Sequence, residues 1–294
     1  MQIINPHLET QVIDPLLERT RRWHPTMRYL SQTEVHVYAF SIAANVLLSF
    51  YPFLIVSVAL ASKFFGRQTA LSAIDLALSD FFPDALGSFL HNNPPPQGKI
   101  EIISMFLLLF TANGIFEPLE VGLNNVWGIR KNRSFFWNQV VSLGLIFVCG
   151  GLALGSLLLT AFSQESFRRL TGSEPAWLPQ SVLSFIPILV FKMAAVPVTV
   201  LVLFLIYRFL PNGKPPLDRV IPAAIVVGVL LEVLKQINKW VWPGFYQKLG
   251  REYNVFKNSV TLILIGFLVS MLVLAGAEWA ARGHRMDELE KADG

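Results

Sequence analysis

Uncharged apolar segments recur along this chain, and they constrain its fold more than any other feature. Residues 39–61 contain no charged side chain, and neither do residues 134–164. About 20 helical residues cross the ~30 Å hydrocarbon core of a bilayer, so each segment is long enough to span a membrane. Because 53% of the chain is hydrophobic and only 15% is charged, it is too apolar for an ordinary soluble domain. We therefore predict an integral membrane protein.

The apolar segments predict an all-α polytopic membrane protein whose domain, residues 39–281, is a six-transmembrane-helix bundle. The six predicted spans are 39–61, 100–116, 136–162, 177–207, 220–240 and 259–281. A polar arm, residues 1–38, precedes them, and a polar tail, residues 282–294, follows. Between the first two spans, apolar residues at near-helical spacing predict an interfacial helical hairpin that is interrupted at Pro83.

The distribution of basic residues predicts the orientation. Lysine and arginine favour cytoplasmic segments. They crowd in the turn that holds Arg130 and Arg133, whereas residues 68–98 contain acidic side chains and no lysine or arginine. These features place both termini in the cytoplasm. Four basic residues, Lys239 and the three in the predicted aromatic loop at 240–257, argue against this orientation.

Polar side chains follow one face of the first span. Ser41, Asn45, Ser49 and Pro52 recur at near-helical spacing. Small and polar residues join neighbouring helices in membranes, and they also line polar cavities. The sequence leaves both interpretations open.

Four ionisable residues fall within or at the ends of predicted spans: Lys192, Glu232, Lys235 and Glu278. Ionisable groups in a bilayer are costly and mark candidate pathway residues, while snorkelling or a buried ion pair explains them equally. Glu232 has two candidate partners, Lys235 one helical turn away and Lys192 across the bundle. With the polar face of the first span, these residues are the predicted wall of a cavity or substrate pathway.

Several segments together resemble the YihY/virulence factor BrkB family of bacterial inner-membrane proteins, once labelled ribonuclease BN. They are residues 39–61, LNNVWGIRKNRSFFWNQ at 123–139, YRFLPNGKPPLDRVIPAA at 207–224, LLEVLK at 230–235 and VLAGAEWAA at 273–281. The resemblance implies six transmembrane helices in a bacterial inner membrane, with cytoplasmic termini. Carried over by position, the matching residues are Pro52, Asn124, Trp127, Arg133, Phe136, Tyr207, Pro211, Asn212, Glu232 and Glu278. Of these, Asn124, Trp127, Arg133 and Asn212 form a predicted cytoplasmic-loop motif. The chain departs from the family pattern near Ala44 and Asn45, at Asn138 and Gln139, and at Lys257 and Asn258.

The residues argue against a nuclease. Metal-dependent hydrolysis needs clustered His and Asp ligands, but the five histidines are scattered outside the spans, and no nucleotide-binding or hydrolase motif is present. We expect no enzymatic activity, metal, cofactor or nucleic-acid partner.

The leading hypothesis is a transporter or flippase-like carrier of a lipid, amphiphile or small solute, and the alternative is a non-transporting membrane scaffold. Expected partners are membrane lipids and either further copies of the chain or envelope proteins.

Overall fold

Helices account for most of the residues that the computed structural model describes, which are 25–79, 99–130, 196–253 and 256–293 with individual positions between 134 and 155. No strand occurs within these ranges. A helical turn at residues 25–30 comes first. The helices that follow are α1 (Thr33–Phe65), α2 (Arg67–Ser79), α3 (Lys99–Val126), α4 (Val140–Leu152), α5 (Val196–Phe209), α6 (Leu217–Tyr253) and α7 (Lys257–Asp293).

Three of these helices are long and apolar enough to cross a membrane: α1, the Leu217–Val241 part of α6 and the Lys257–His284 part of α7. The helices α4 and α5 are apolar but shorter. The prediction of an all-helical membrane protein is confirmed. The six-span count stays a prediction, because residues 156–195 lie outside the described part of the chain. The helix α2 occupies the first part of the predicted hairpin. The rest of that hairpin, residues 80–98, lies outside the described part of the chain.

Several helices extend beyond their predicted spans. The predicted aromatic and basic loop at 240–257 is wrong over most of its length, because α6 continues through Pro243 to Tyr253. Likewise, α1 begins at Thr33 in the predicted arm, and α7 continues through the predicted tail to Asp293. The physical reason is common to all three: aromatic and charged side chains mark where a helix leaves the apolar layer, and they do not end its backbone hydrogen bonding.

The core forms where α1 packs against α3 and α7, and where α6 packs against α7. Its largest fully buried side chain, Tyr207 of α5, donates its hydroxyl hydrogen bond to the carbonyl of Val273 at 2.7 Å. Gly276, on the next turn of α7, lies against Tyr207 and Val227, and a Cβ at this position would overlap the Val227 methyl group. Glycine therefore permits the close approach of α6 and α7.

The two ends of the bundle differ in composition. One end, which we call the Asn124 end, contains the start of α1, the end of α3, the start of α6 and Glu278 of α7. A hydrogen bond from Asn125 to Glu34 joins α3 to α1 there. At the opposite end, called the Lys257 end, the last turns of α6 meet the first residue of α7. The candidate site residues divide between these ends.

Candidate functional site

The ionisable residues of α6 form an ion pair. Lys235 Nζ lies 2.9 Å from Glu232 Oε2, at the i, i+3 spacing that places both side chains on one face. The Lys235 side chain is 11% exposed, while that of Glu232 is 42% exposed. Of the two partners left open for Glu232, the structure places Lys235 in contact with it. Lys192 lies outside the described residues.

An apolar pocket adjoins this ammonium group between α5, α6 and α7. Its volume is about 110 Å³. We call it the Lys235 pocket, and it is lined by Thr199, Leu231, Leu234, Lys235, Asn238, Ile265, Leu268 and Val269. Most of the lining is aliphatic, and the polar groups are one ammonium, one amide and one hydroxyl. Such a pocket suits an aliphatic group with a polar or charged end.

The polar face of α1 lies away from this pocket. Asn45 Nδ2 donates to the Ser41 carbonyl at 2.9 Å, and Ser49 Oγ donates to the Val46 carbonyl at 3.1 Å. The Asn45 side chain also lies directly against Gly114 of α3, and Pro52 is buried inside the continuous helix. None of these four α1 residues lines the Lys235 pocket. The structure therefore places Asn45 of this face in the α1–α3 contact.

Glu278 lies at the Asn124 end, in a hydrogen-bonded cluster of its own. Its Oε2 accepts a hydrogen bond from the buried hydroxyl of Thr26 at 2.6 Å. Arg282 donates from Nη2 to the Thr26 oxygen at 3.2 Å, and Arg282 Nε lies 3.8 Å from Glu278 Oε1. The structure does not bring Glu278 together with Lys235 or Glu232.

A polar pocket of about 270 Å³ opens beside Glu278. We call it the Glu278 pocket, and it is lined by Pro25, Arg28, Tyr29, Gln32, Asn125, Val126 and Glu278. Burial raises the pKa of the Tyr29 hydroxyl well above its ordinary range, and the negative charge of Glu278 raises it further. Tyr29 thus stays protonated at neutral pH, and the pocket presents hydroxyl, amide, carboxylate and guanidinium groups.

The predicted loop motif is assembled by helix ends. Asn124 lies in the last turn of α3, not in a loop, and its Oδ1 accepts the backbone hydrogen bond of Asn212 at 2.7 Å. Its Nδ2 donates to Glu120 at 3.4 Å. The ring of Trp127 lies beside that of His284 in α7, with centroids 6.2 Å apart. Asn124, Trp127 and Asn212 therefore share one end of the bundle, while Arg133 lies outside the described residues.

Thr26, Tyr29 and Arg282 were not predicted from the sequence. Arg282 carried a usable signal, since it follows Glu278 at i, i+4 on a helix. Thr26 carried none, because 252 residues separate it from Glu278. Within the described ranges, no three His, Cys, Asp or Glu side chains are close enough together to hold a metal ion.

Comparison with known proteins agrees with the helical membrane architecture. A family model described as virulence factor BrkB matches residues 26–294. A UPF0761 membrane protein of Pseudoalteromonas translucida is 26% identical over 282 residues, covering 87% of this chain and 84% of the relative. A UPF0761 membrane protein of Vibrio vulnificus is 26% identical over 280 residues, covering 88% and 82%. One from Chromobacterium violaceum is 24% identical over 242 residues, covering 81% and 55%.

No solved structure matches the chain. The family match, by contrast, extends from Thr26 through every described helix to the end of α7, so it includes the Lys235 pocket and all of the Glu278 pocket except Pro25. The chain therefore belongs to the virulence factor BrkB family of membrane proteins.

Proposed function

We propose that this membrane protein is a non-enzymatic carrier of an amphiphile, with the Lys235 pocket as its binding site. The observation that supports the proposal is a largely buried ammonium group beside an aliphatic pocket in a membrane-spanning helix. A charge at this depth costs free energy, and intramembrane charges are by default candidate pathway groups. Leu268, in the pocket lining, is 47% exposed within an apolar span. We expect this surface to face lipid, which would let an amphiphile enter sideways from the bilayer.

The orientation belongs to the same proposal. Basic residues at the Asn124 end include Arg28, Arg130, Lys214, Arg219 and Arg282. With most weight on the dense basic turn after α3, the positive-inside tendency assigns this end to the cytoplasm of a bacterial inner membrane, although Lys239, Lys248, Arg251 and Lys257 lie toward the opposite end. The Lys235 pocket then lies toward the outer leaflet. Single cysteines at Lys214 and Lys248, in a variant that lacks Cys149, would react with membrane-impermeant reagents only from the inside and the outside, respectively.

Transport is tested with purified protein in vesicles that contain a fluorescent phospholipid. An impermeant quencher reports how fast the lipid crosses between leaflets. The carrier proposal expects faster movement than in protein-free vesicles, and slower movement with Lys235→Gln. The matched control is Lys248→Gln, which removes the same charge from an exposed position of the same helix. Movement at the protein-free rate would contradict the proposal.

A non-transporting scaffold is the second candidate, and the pairing of charges favours it. Glu232 contacts Lys235, and Glu278 contacts Arg282. A scaffold has no need of unpaired charges in its core. This role predicts a partner that copurifies at fixed stoichiometry in mild detergent and is lost on Arg28→Glu, which inverts an exposed charge at the Glu278 pocket. Copurification without lipid movement would favour the scaffold.

A further inference from the structure

We propose that the Lys235 pocket binds an anionic membrane phospholipid, with an acyl chain against its aliphatic wall and the phosphate on the Lys235 ammonium. The inference rests on the proposed function for the choice of pocket and adds the class of ligand. It concerns binding, which is measured separately from transport.

The aliphatic wall follows the seam between two helices. On α6, Leu231, Leu234 and Lys235 lie on one stripe, and Asn238 extends it by another turn. Ile265, Leu268 and Val269 form the facing stripe on α7. The wall is therefore an elongated strip of aliphatic groups, which is the shape that a segment of acyl chain covers.

The charge lies in the outer part of the apolar segment of α6. The apolar part of α6 ends at Val241, six residues after Lys235. At 1.5 Å per residue, the Lys235 backbone lies about 9 Å inside this boundary. Its ammonium turns toward the deeper Glu232 carboxylate, 2.9 Å away. Leu231 lies one turn deeper than Lys235 and Asn238 lies nearer the boundary, so the ammonium lies beside the aliphatic wall along its length.

The order of charges along α6 favours an anionic headgroup over a zwitterionic one. In a zwitterionic lipid, a cationic group lies farther out than the phosphate. Lys239 lies outward of Lys235, on the same face at i+4. Its positive charge repels the cationic group of a zwitterionic headgroup. Glu232, which would attract that group, lies about one turn deeper than Lys235.

The Glu232 carboxylate shares Lys235 with the phosphate. Lysine has three donors, so it can contact Glu232 and a second anion together. The two anions repel each other across this short distance. Removing the carboxylate charge should therefore strengthen phosphate binding, whereas removing the ammonium charge should weaken it.

The experiment titrates phosphatidylglycerol or phosphatidylcholine into the purified full-length chain in detergent and measures bound lipid by native mass spectrometry. Wild-type protein should bind phosphatidylglycerol more tightly than phosphatidylcholine. Lys235→Gln should weaken phosphatidylglycerol binding about tenfold, the effect of one charge-assisted hydrogen bond. Glu232→Gln should strengthen it, and Lys248→Gln should leave it unchanged. Leu268→Trp, which fills the pocket without a charge change, should weaken binding of both lipids.

Opposite effects of the two ion-pair variants are decisive, because a merely structural pair would respond in the same direction to loss of either partner. All variants are compared after confirming wild-type elution and thermal unfolding. Equal binding of both lipids by the wild type, or equal losses with Lys235→Gln and Glu232→Gln, would overturn the inference. Selective binding without transbilayer movement would reject the carrier and retain the site. Transbilayer lipid movement without lipid selectivity would retain the carrier and reject the anionic-phospholipid site.

Discussion

The side-chain oxygen of Asn124 accepts the backbone hydrogen bond of Asn212, joining the last turn of α3 to the turn between α5 and α6 across 88 residues of sequence. Asn124 is buried, so its amide cannot exchange this partner for bulk water. The backbone carbonyl of Asn124 also accepts from the N–H of Ile129, which fixes the turn that follows α3. One residue thus positions both turns at this end of the bundle.

Replacing Asn124 with alanine should destabilise the protein. The change leaves the Asn212 N–H without its acceptor, and a buried unsatisfied group costs about 1–3 kcal/mol. Thermal unfolding in detergent measures the loss. Asn125→Ala is the matched control, since its neighbouring side chain is exposed and makes only a 3.5 Å contact with Glu34. Equal unfolding temperatures for the two variants would contradict the assigned role of Asn124.

Gly276→Ala should weaken the contact between α6 and α7. The added methyl group overlaps a Val227 methyl and approaches the Tyr207 hydroxyl at 2.8 Å. Overpacking of this kind costs about 1–3 kcal/mol, and the β-branched Val227 has little rotamer freedom in a helix to avoid it. Thermal unfolding of the purified variant measures the effect.

Two further variants test that explanation. Gly244→Ala on α6 meets no neighbouring atom within 4 Å, so it should be neutral or stabilising by up to about 1 kcal/mol. Val227→Ala, combined with Gly276→Ala, should recover part of the loss, because the two sites are coupled by direct contact. Strictly additive effects would show that the methyl overlap is not the cause.

Thr26→Val should destabilise the Asn124 end while preserving the shape of the side chain. The hydroxyl that donates to Glu278 at 2.6 Å is lost, and a buried carboxylate loses a hydrogen bond. We expect a cost of about 1–3 kcal/mol, measured by thermal unfolding. Thr33→Val makes the same chemical change at an exposed position and should have a small effect. A protein unaffected by Thr26→Val would show that Arg282 alone holds the carboxylate.

Alkaline pH should destabilise the wild type through Tyr29. An unfolded tyrosine ionises near pH 10, whereas burial and Glu278 raise the Tyr29 pKa in the folded protein. Its contribution is therefore fully present below about pH 10 and is lost as pH rises above it, because only the unfolded state releases the proton. Tyr29→Phe should show a shallower decline in the free energy of unfolding above pH 10. Parallel pH profiles would contradict the raised pKa.

The sequence predicted the membrane class and the position of the apolar helices because bilayer thickness imposes a minimum apolar length on the chain. It located helix ends poorly, as Tyr253 and Asp293 illustrate, because leaving the bilayer and ending a helix are separate events. Composition records the first event. Local hydrogen bonding and packing decide the second.

The candidate site was predicted in part. The Glu232–Lys235 pair follows from helical spacing, which is a local property. The separation of Glu278 from that pair follows from the antiparallel course of the consecutive spans 220–240 and 259–281, so grouping all four ionisable residues into one wall conflicted with the predicted topology itself. Contacts such as Thr26 with Glu278 join distant segments, and a single sequence contains no measure of such distances.

The contact between Thr26 and Arg282 has a consequence for synthesis of the chain. These residues are 256 positions apart, so the hydroxyl leaves the ribosome long before its partners exist. At 5–20 residues per second, the wait is roughly 13–50 s. The Glu278 pocket is therefore completed only after translation of α7, and a chain truncated before Glu278 would insert its earlier helices with this end of the bundle still open.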